Sequence, residues 1–170
     1  MRESIAEYKR RILSYQAGKD PIQVQTATAG KIWKLRQGQP RSRMVRRPGP
    51  GRWSVVEILA HLADCELVAG YRIRSILGAP GTSLAAFDQD KWAESGNYST
   101  RDPKQSLELF SVLRKGNLAL VRSLKAAQWK LHGVHAERGP ETIGEIVQLY
   151  AGHDLNHLNQ IMLILGKRAR

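Results

Sequence analysis

The sequence has little of what defines several large protein classes. Its 170 residues include one cysteine, Cys65, so no internal disulfide bond can form, and we expect a reducing, cytoplasmic setting. No run approaches the roughly 18 consecutive apolar residues that a membrane span requires, so we expect no membrane partner. No alternation of apolar and polar residues predicts a β-strand. Apolar residues still make up 42% of the chain, enough for a single domain over residues 1–170 with a sizeable core.

Acidic residues are also few beside the basic ones. The chain has 27 Lys and Arg against 15 Asp and Glu, which gives a formal net charge of +12. Between Pro21 and Val56 there are eight basic residues and no acid. This stretch either attracts phosphates and other anionic groups or is a solvated linker. We expect no exposed aromatic residues among these charges and find no nucleic-acid-binding motif, so nucleic acid is not a predicted partner.

Helix start signals occur at four positions. The segments "DPIQ" and "DPKQ" each place Asp at the N-cap and Pro at the first helical position, and "SVVE" and "TIGE" are capping boxes. Glycine residues follow several of the segments, as expected at helix C-termini. The main helices are therefore predicted over residues 21–36, 55–77, 103–126 and 143–165, with a short N-terminal helix over residues 3–16.

Four long amphipathic helices without a predicted strand define the expected fold class, an all-α four-helix bundle with a short extra N-terminal helix. The connection over residues 78–101 is much longer than the about 2–8 residues usual between bundle helices. A connection of this length either crosses between distant helices or forms the wall of a site.

Two histidines lie on the inward face of the last predicted helix. The inward positions alternate spacings of four and three residues: Ile146, Tyr150, His153, His157, Gln160 and Ile164. His153 and His157 therefore stack on one face, where both imidazoles can reach one metal ion. The same spacing also arises by chance between histidines that bind no metal.

A third candidate ligand, His61, lies in the segment "EILAHLADCE" at the edge of the apolar stripe of its helix. There it can turn into the bundle as a ligand or bond to the backbone. Three histidines on two core-facing helices favour a metal site. Asp64 and Gln160 each follow a histidine by three residues and are candidates to orient a ligand ring. For Asp64, an ion pair with a nearby arginine is the alternative.

Further candidates are predicted outside the helices. His135 is expected in the loop before the last helix, either as an acid/base or substrate contact at the open metal face or as a solvent-exposed histidine. Asp88, Asp90 and Trp92 lie in the long connection, where they could wall the pocket, or Trp92 could anchor the connection to the bundle. Cys65 is predicted to be a small core residue, so a nucleophile would be water or a thiol cosubstrate.

Three segments of the chain, "RRPGPGRWSVVEILAHLADCE", "FDQDKWA" and "YAGHDLNHLNQI", resemble in this order the DinB/YfiT-like superfamily of metal-binding four-helix bundles. The resemblance runs from Asp20 to Gly166. It implies that His61, His153 and His157 are the metal ligands and that coordination positions stay open for water or substrate. It also implies one divalent ion, nickel or zinc, and a homodimer. Some related proteins use a low-molecular-weight thiol as cosubstrate.

The predicted function is that of a metal-dependent enzyme acting on a small molecule, either a thiol S-transferase or a hydrolase. The alternative is a metal-binding or stress-related bundle without turnover, because fold and ligands do not specify a reaction. A third hypothesis, nucleic-acid binding through residues 31–52, rests on charge alone.

Overall fold

The computed structural model describes residues 3–167, and its main helices begin where the sequence signals predict. Ser54 and Thr142 each open a helix in a complete capping box, because each hydroxyl accepts a hydrogen bond from the backbone N–H of the glutamate that follows. Asp20 and Asp102 accept equivalent bonds at two other helix starts. The elements in chain order are α1 Ile5–Gln16, α2 Pro21–Arg36, α3 Arg41–Val45, α4 Val55–Gly78, β1 Ser83–Leu84, α5 Gln89–Ser95, α6 Pro103–Arg122, β2 His132–His135, β3 Gly139–Thr142 and α7 Ile143–Ile164.

The long helices α2, α4, α6 and α7 form the bundle, and α1 packs against α7. The predicted all-α four-helix fold is therefore confirmed. α6 ends at Arg122 rather than at residue 126, because the chain turns at Ser123, whose N–H bonds back to the carbonyls of Leu120 and Val121. The short helix α3 lies outside every predicted segment. Within residues 3–167, no helix has the combination of length and apolar content that crossing a membrane demands.

A small three-stranded sheet is the main difference from the predicted structure. β1 pairs in parallel with β2, and β2 pairs antiparallel with β3. These strands are two to four residues long, too short to produce a recognisable alternation. Gly133 allows β1 to approach β2, because a Cβ there would lie 2.8 Å from Cγ of Leu84. The predicted long connection over residues 78–101 therefore contains ordered elements, β1 and α5.

Two apolar clusters fill the interior, and the histidines lie where the clusters meet. The first cluster joins the start of α4 to the end of α7 and contains Leu59, Leu62 and Ile161. The second joins the end of α4 to the start of α7 and contains Ile73 and Ile146. α4 and α7 therefore run antiparallel. The segments of both helices that carry the histidines lie at the boundary between the two clusters.

A buried ionic network ties the four bundle helices together. Arg114 on α6 donates to Asp154 on α7 at 2.5 Å and to Glu66 on α4 at 2.8 Å. Arg114 also donates to the carbonyl of Gln25 on α2 at 2.9 Å. The three charged side chains are each at most 4% exposed. Each therefore depends on the others to offset its loss of hydration.

Candidate metal centre

The three histidines predicted as ligands lie together in the structure. His61 comes from the second turn of α4, and His153 and His157 come from the middle of α7. Nε2 of His153 lies 2.9 Å from Nε2 of His61 and 3.0 Å from Nε2 of His157. All three residues are buried, at most 8% exposed. Three imidazole nitrogens therefore converge inside the bundle.

The convergence has the spacing that one metal ion requires. Two nitrogens that each lie about 2.0–2.1 Å from one ion are about 2.8–3.4 Å apart at right-angled or tetrahedral positions. Both measured separations fall in this range. Hydrogen bonds alone explain the cluster poorly, because an imidazole nitrogen carries either a proton or a lone pair. Nε2 of His153 therefore cannot donate to one neighbour and accept from the other. The donor set fits a divalent cation.

The protein environment keeps these rings neutral and orients one of them. Burial lowers the pKa of His153 to about 4, with Arg114 as the second cause. Burial, together with the neighbouring imidazoles, holds the pKa values of His61 and His157 well below the usual range. Oε1 of Gln160 lies 2.8 Å from Nδ1 of His157, as the sequence spacing predicts. When this oxygen accepts, Nδ1 holds the ring proton and the Nε2 lone pair faces the cluster.

The thiol of Cys65 also reaches the cluster, which the sequence reasoning missed. Its Sγ lies 3.4 Å from Nε2 of His61, and the donor atoms of His61, Cys65 and His153 lie within 4.8 Å of one another. Cys65 is buried, as predicted, and burial raises the pKa of its thiol. A protonated thiol is a poor metal ligand. Two overlapping donor sets therefore share His61 and His153, one completed by His157 and the other by Cys65.

Asp64 forms an ion pair and makes no hydrogen bond to a histidine among the described residues. Its carboxylate accepts from the hydroxyl of Tyr98 at 2.6 Å and from Arg101 at 3.2 Å. The sequence left open whether Asp64 orients a histidine ring or pairs with an arginine, and the structure shows the pair with Arg101. Asp64 thus fixes the turn at Tyr98–Thr100 to α4. Besides the other two histidines, the ring of Trp53 packs on His61, with centroids 4.8 Å apart.

Two cavities open beside the histidines. The first, of about 400 Å³, has His61 and His153 in its wall. The second, of about 830 Å³, lies towards the loop before α4 and has His153 and His157 in its wall. Tyr8 of α1 and Asp90 of α5 line both cavities. The candidate metal centre is therefore reached from two sides.

His135 does not occupy the predicted position at the open face of the metal centre. It is 2% exposed on β2 and absent from the walls of both cavities. Its Nδ1 accepts from the backbone N–H groups of Glu137 and Arg138, and its Nε2 lies 3.1 Å from Nη2 of Arg72. The prediction of an exposed loop histidine is also wrong, because this segment folds into the small sheet.

Asp88 and Trp92 position α5 and are not part of either cavity wall. The carboxylate of Asp88 accepts hydrogen bonds from the first backbone N–H groups of α5. Trp92 is 39% exposed and packs on Phe87 of the same connection, with ring centroids 4.7 Å apart. Phe87 in turn packs against the second apolar cluster. Asp90, predicted together with them, does line both cavities, as does Gln89, and Phe87 lines the first.

Three residues that line the first cavity were not among the site residues predicted from the sequence. These are Tyr8, Arg72 and Arg138. Burial raises the pKa of Tyr8 to about 12, so the phenol stays protonated and can donate a hydrogen bond. Arg138 pairs with Glu141 at 2.6 Å. One of the three could have been predicted from the sequence: Arg72 falls at an inward position of the apolar stripe of α4.

The fold and the site together define a four-helix bundle with a potential metal centre between two of its long helices. Residues 26–161 match the sequence profile of the DinB superfamily, and the chain belongs to that family.

Relatives of this chain have been named provisionally as metal-dependent hydrolases. One of them, OB0782 of Oceanobacillus iheyensis, is 30% identical over 118 residues, covering 69% of this chain and 68% of the relative. YfiT of Bacillus subtilis is 28% identical over 159 residues, covering 92% and 89% of the two chains. The solved structure of YfiT, which has an unusual four-helix bundle topology, superposes with a TM-score of 0.78 at 24% identity and covers 99% of this chain and 94% of YfiT.

Proposed function

We propose that this chain is a metal-dependent hydrolase of a small molecule, in which His61, His153 and His157 hold one divalent ion, nickel or zinc. The observation that carries the proposal is the convergence of three buried imidazole nitrogens beside two cavities. The names of the relatives support the same activity. Imidazole ligands suit both metals.

The side chains around the histidines determine what such a site can do. The three imidazoles are neutral ligands, and burial raises the pKa values of Cys65 and Tyr150, so neither adds a negative charge. When bound, a divalent ion held by three neutral ligands supplies a Lewis acid with open coordination positions. Gln160 holds the ring of His157 in place.

Thiol S-transfer is the second candidate function, and one observation favours it. The two cavities share His153, Tyr8, Gln89 and Asp90 in their walls. A thiol cosubstrate and an electrophile could therefore approach the same centre from different sides. Hydrolysis needs space for one organic reactant, whereas transfer needs space for two.

Turnover assays on the metal-loaded protein distinguish the candidates. We expect hydrolysis of members of a panel of small chromogenic esters and amides, and under the second candidate conjugation of a low-molecular-weight thiol to a chromogenic electrophile. His61→Ala should abolish turnover, and the exposed His132→Ala should retain it as a matched control. Absence of both reactions with the ion bound would favour the alternative, a metal-binding bundle without turnover.

A further inference from the structure

Arg72 on α4 is a buried cation without an acidic partner. It is 4% exposed, and no Asp or Glu of residues 3–167 forms an ion pair with it. Within the same residues, Nη2 is the only guanidinium nitrogen with hydrogen-bond partners, the carbonyl of Ala85 at 2.6 Å and Nε2 of His135 at 3.1 Å. Its Cζ lies 5.9 Å from the ring centroid of Phe87. The equally buried Arg114 is paired with two carboxylates. Burying an unpaired charge is unfavourable unless a ligand compensates for it.

The contact of Arg72 with His135 leaves two donors facing each other. Nδ1 of His135 accepts from the backbone N–H groups of Glu137 and Arg138 at 3.1 and 3.3 Å. The neutral ring therefore carries its proton on Nε2, the nitrogen nearest Arg72. A guanidinium N–H and an imidazole N–H cannot bond to each other. His135 therefore does not compensate the charge of Arg72, and an oxyanion in the cavity is an acceptor that a guanidinium binds well.

Arg72 and the candidate metal centre share the first cavity. His61 and Arg72 are 11 residues apart on α4, about three turns, so they lie on one face with Cα atoms about 16 Å apart along the axis. Side chains on a helix tilt towards its N-terminus, which directs Arg72 back towards His61. Cys65 lies between them, and all three line the cavity of about 400 Å³.

The other charged groups of this cavity leave Arg72 uncompensated. Arg138 is paired with Glu141, and the carboxylate of Glu3 is bound by Arg11 at 2.8 Å. The remaining acidic residues in the wall, Asp90 and Glu137, are exposed to solvent. The buried wall therefore carries one net positive charge, at Arg72.

We propose that Arg72, whose guanidinium lies in the wall of the first cavity, binds an oxyanion carried by the substrate. The substrate is then a small molecule with a carboxylate or phosphate several bonds away from the group that reacts at the histidines. The position of the reacting group rests on the proposed function. The oxyanion site itself does not, because its donors belong to the chain alone.

Titration of isotope-labelled protein with small probes tests the site without any assay of turnover. Butyrate and inorganic phosphate are the oxyanion probes, and butyramide is the neutral control. The signals followed are Nε–H of Arg72 and the imidazole of His135, both in metal-loaded protein and after removal of metal with EDTA. Arg72→Gln removes the charge. Arg74→Gln is the matched control, since Arg74 lies on the same helix and bonds to Gly70 and Asn117 outside the cavity.

We expect saturable shifts of both signals with at least one oxyanion and none with butyramide, with or without metal. Binding should weaken about tenfold or more in Arg72→Gln, because a hydrogen-bonded charge is lost, and remain unchanged in Arg74→Gln. Preference for butyrate identifies a carboxylate as the ligand group, and preference for phosphate identifies a phosphate. The proposal is overturned if neither oxyanion shifts the wild-type signals, if butyramide binds equally well, or if Arg72→Gln binds like wild type. Intact oxyanion binding without turnover would instead count against the proposed hydrolase alone.

Discussion

The approach of α1 to α7 at Gly152 makes the sharpest stability prediction. A Cβ at this position would lie 2.2 Å from the carbonyl oxygen of Ile12 and 2.9 Å from the carbonyl carbon. Non-bonded atoms pack at about 3.5 Å, so Gly152→Ala forces α1 to withdraw by about 1 Å. Ile12 is fully buried and would lose contacts along the same helix. Overpacking of this kind costs about 1–3 kcal/mol.

Thermal unfolding of metal-free protein measures this cost without a contribution from ligand binding. For a chain of this size, the expected fall in Tm is about 2–12 °C. Gly116→Ala is the matched control, because Gly116 is exposed within α6 and a Cβ there meets nothing within 4 Å. That change should stabilise the protein by up to about 1 kcal/mol, since alanine is the better helix former. The reasoning is refuted if Gly152→Ala melts at or above the wild-type temperature.

Three further changes have expected outcomes. Ser54→Ala removes the N-cap of α4 and should lower the free energy of unfolding by about 0.5–2 kcal/mol; elemental analysis should find the metal content unchanged. Arg114→Met leaves the buried carboxylates of Glu66 and Asp154 unpaired, and urea titration at neutral pH should show a loss of about 3–5 kcal/mol; a loss below about 1 kcal/mol would contradict this. Burial and two nearby arginines lower the pKa of His135 to about 4. Between about pH 6.5 and 4, the unfolded chain therefore binds a proton at this residue that the folded chain does not, and the free energy of unfolding falls as pH falls. His135→Asn keeps the acceptor and should show a shallower fall.

Local signals account for what the sequence predicts well. The N-cap residues and capping boxes act within three residues, and they predict the starts of the four long helices. The contact of Gln160 with His157 follows from a spacing of three residues on one helix. His153 and His157 lie on the inward face because the apolar pattern of α7 places them there. The proximity of Cys65 to His61 was also available, since the two are four residues apart on α4.

Contacts between distant parts of the chain account for what the sequence does not predict. The partners of Asp64 lie in another element, more than 30 residues further along. Strand β1 pairs with β2 across about 50 residues, and the hairpin of β2 and β3 is too short to show a pattern of its own. His135 is buried because of that sheet. Tyr8 and Arg72 line a cavity because of the way α1 and α5 pack against the bundle. No single segment of the sequence specifies that packing.

The metal content of purified variants tests the central claim most directly. Wild-type protein, loaded with nickel or zinc and then desalted, should retain about one ion per chain by elemental analysis. His61→Ala, His153→Ala and His157→Ala should each lose it, while Cys65→Ala and the exposed His132→Ala should keep it. Retention of a stoichiometric ion by His157→Ala together with its loss from Cys65→Ala would contradict the three-histidine site and assign the centre to the donor set that contains the thiol.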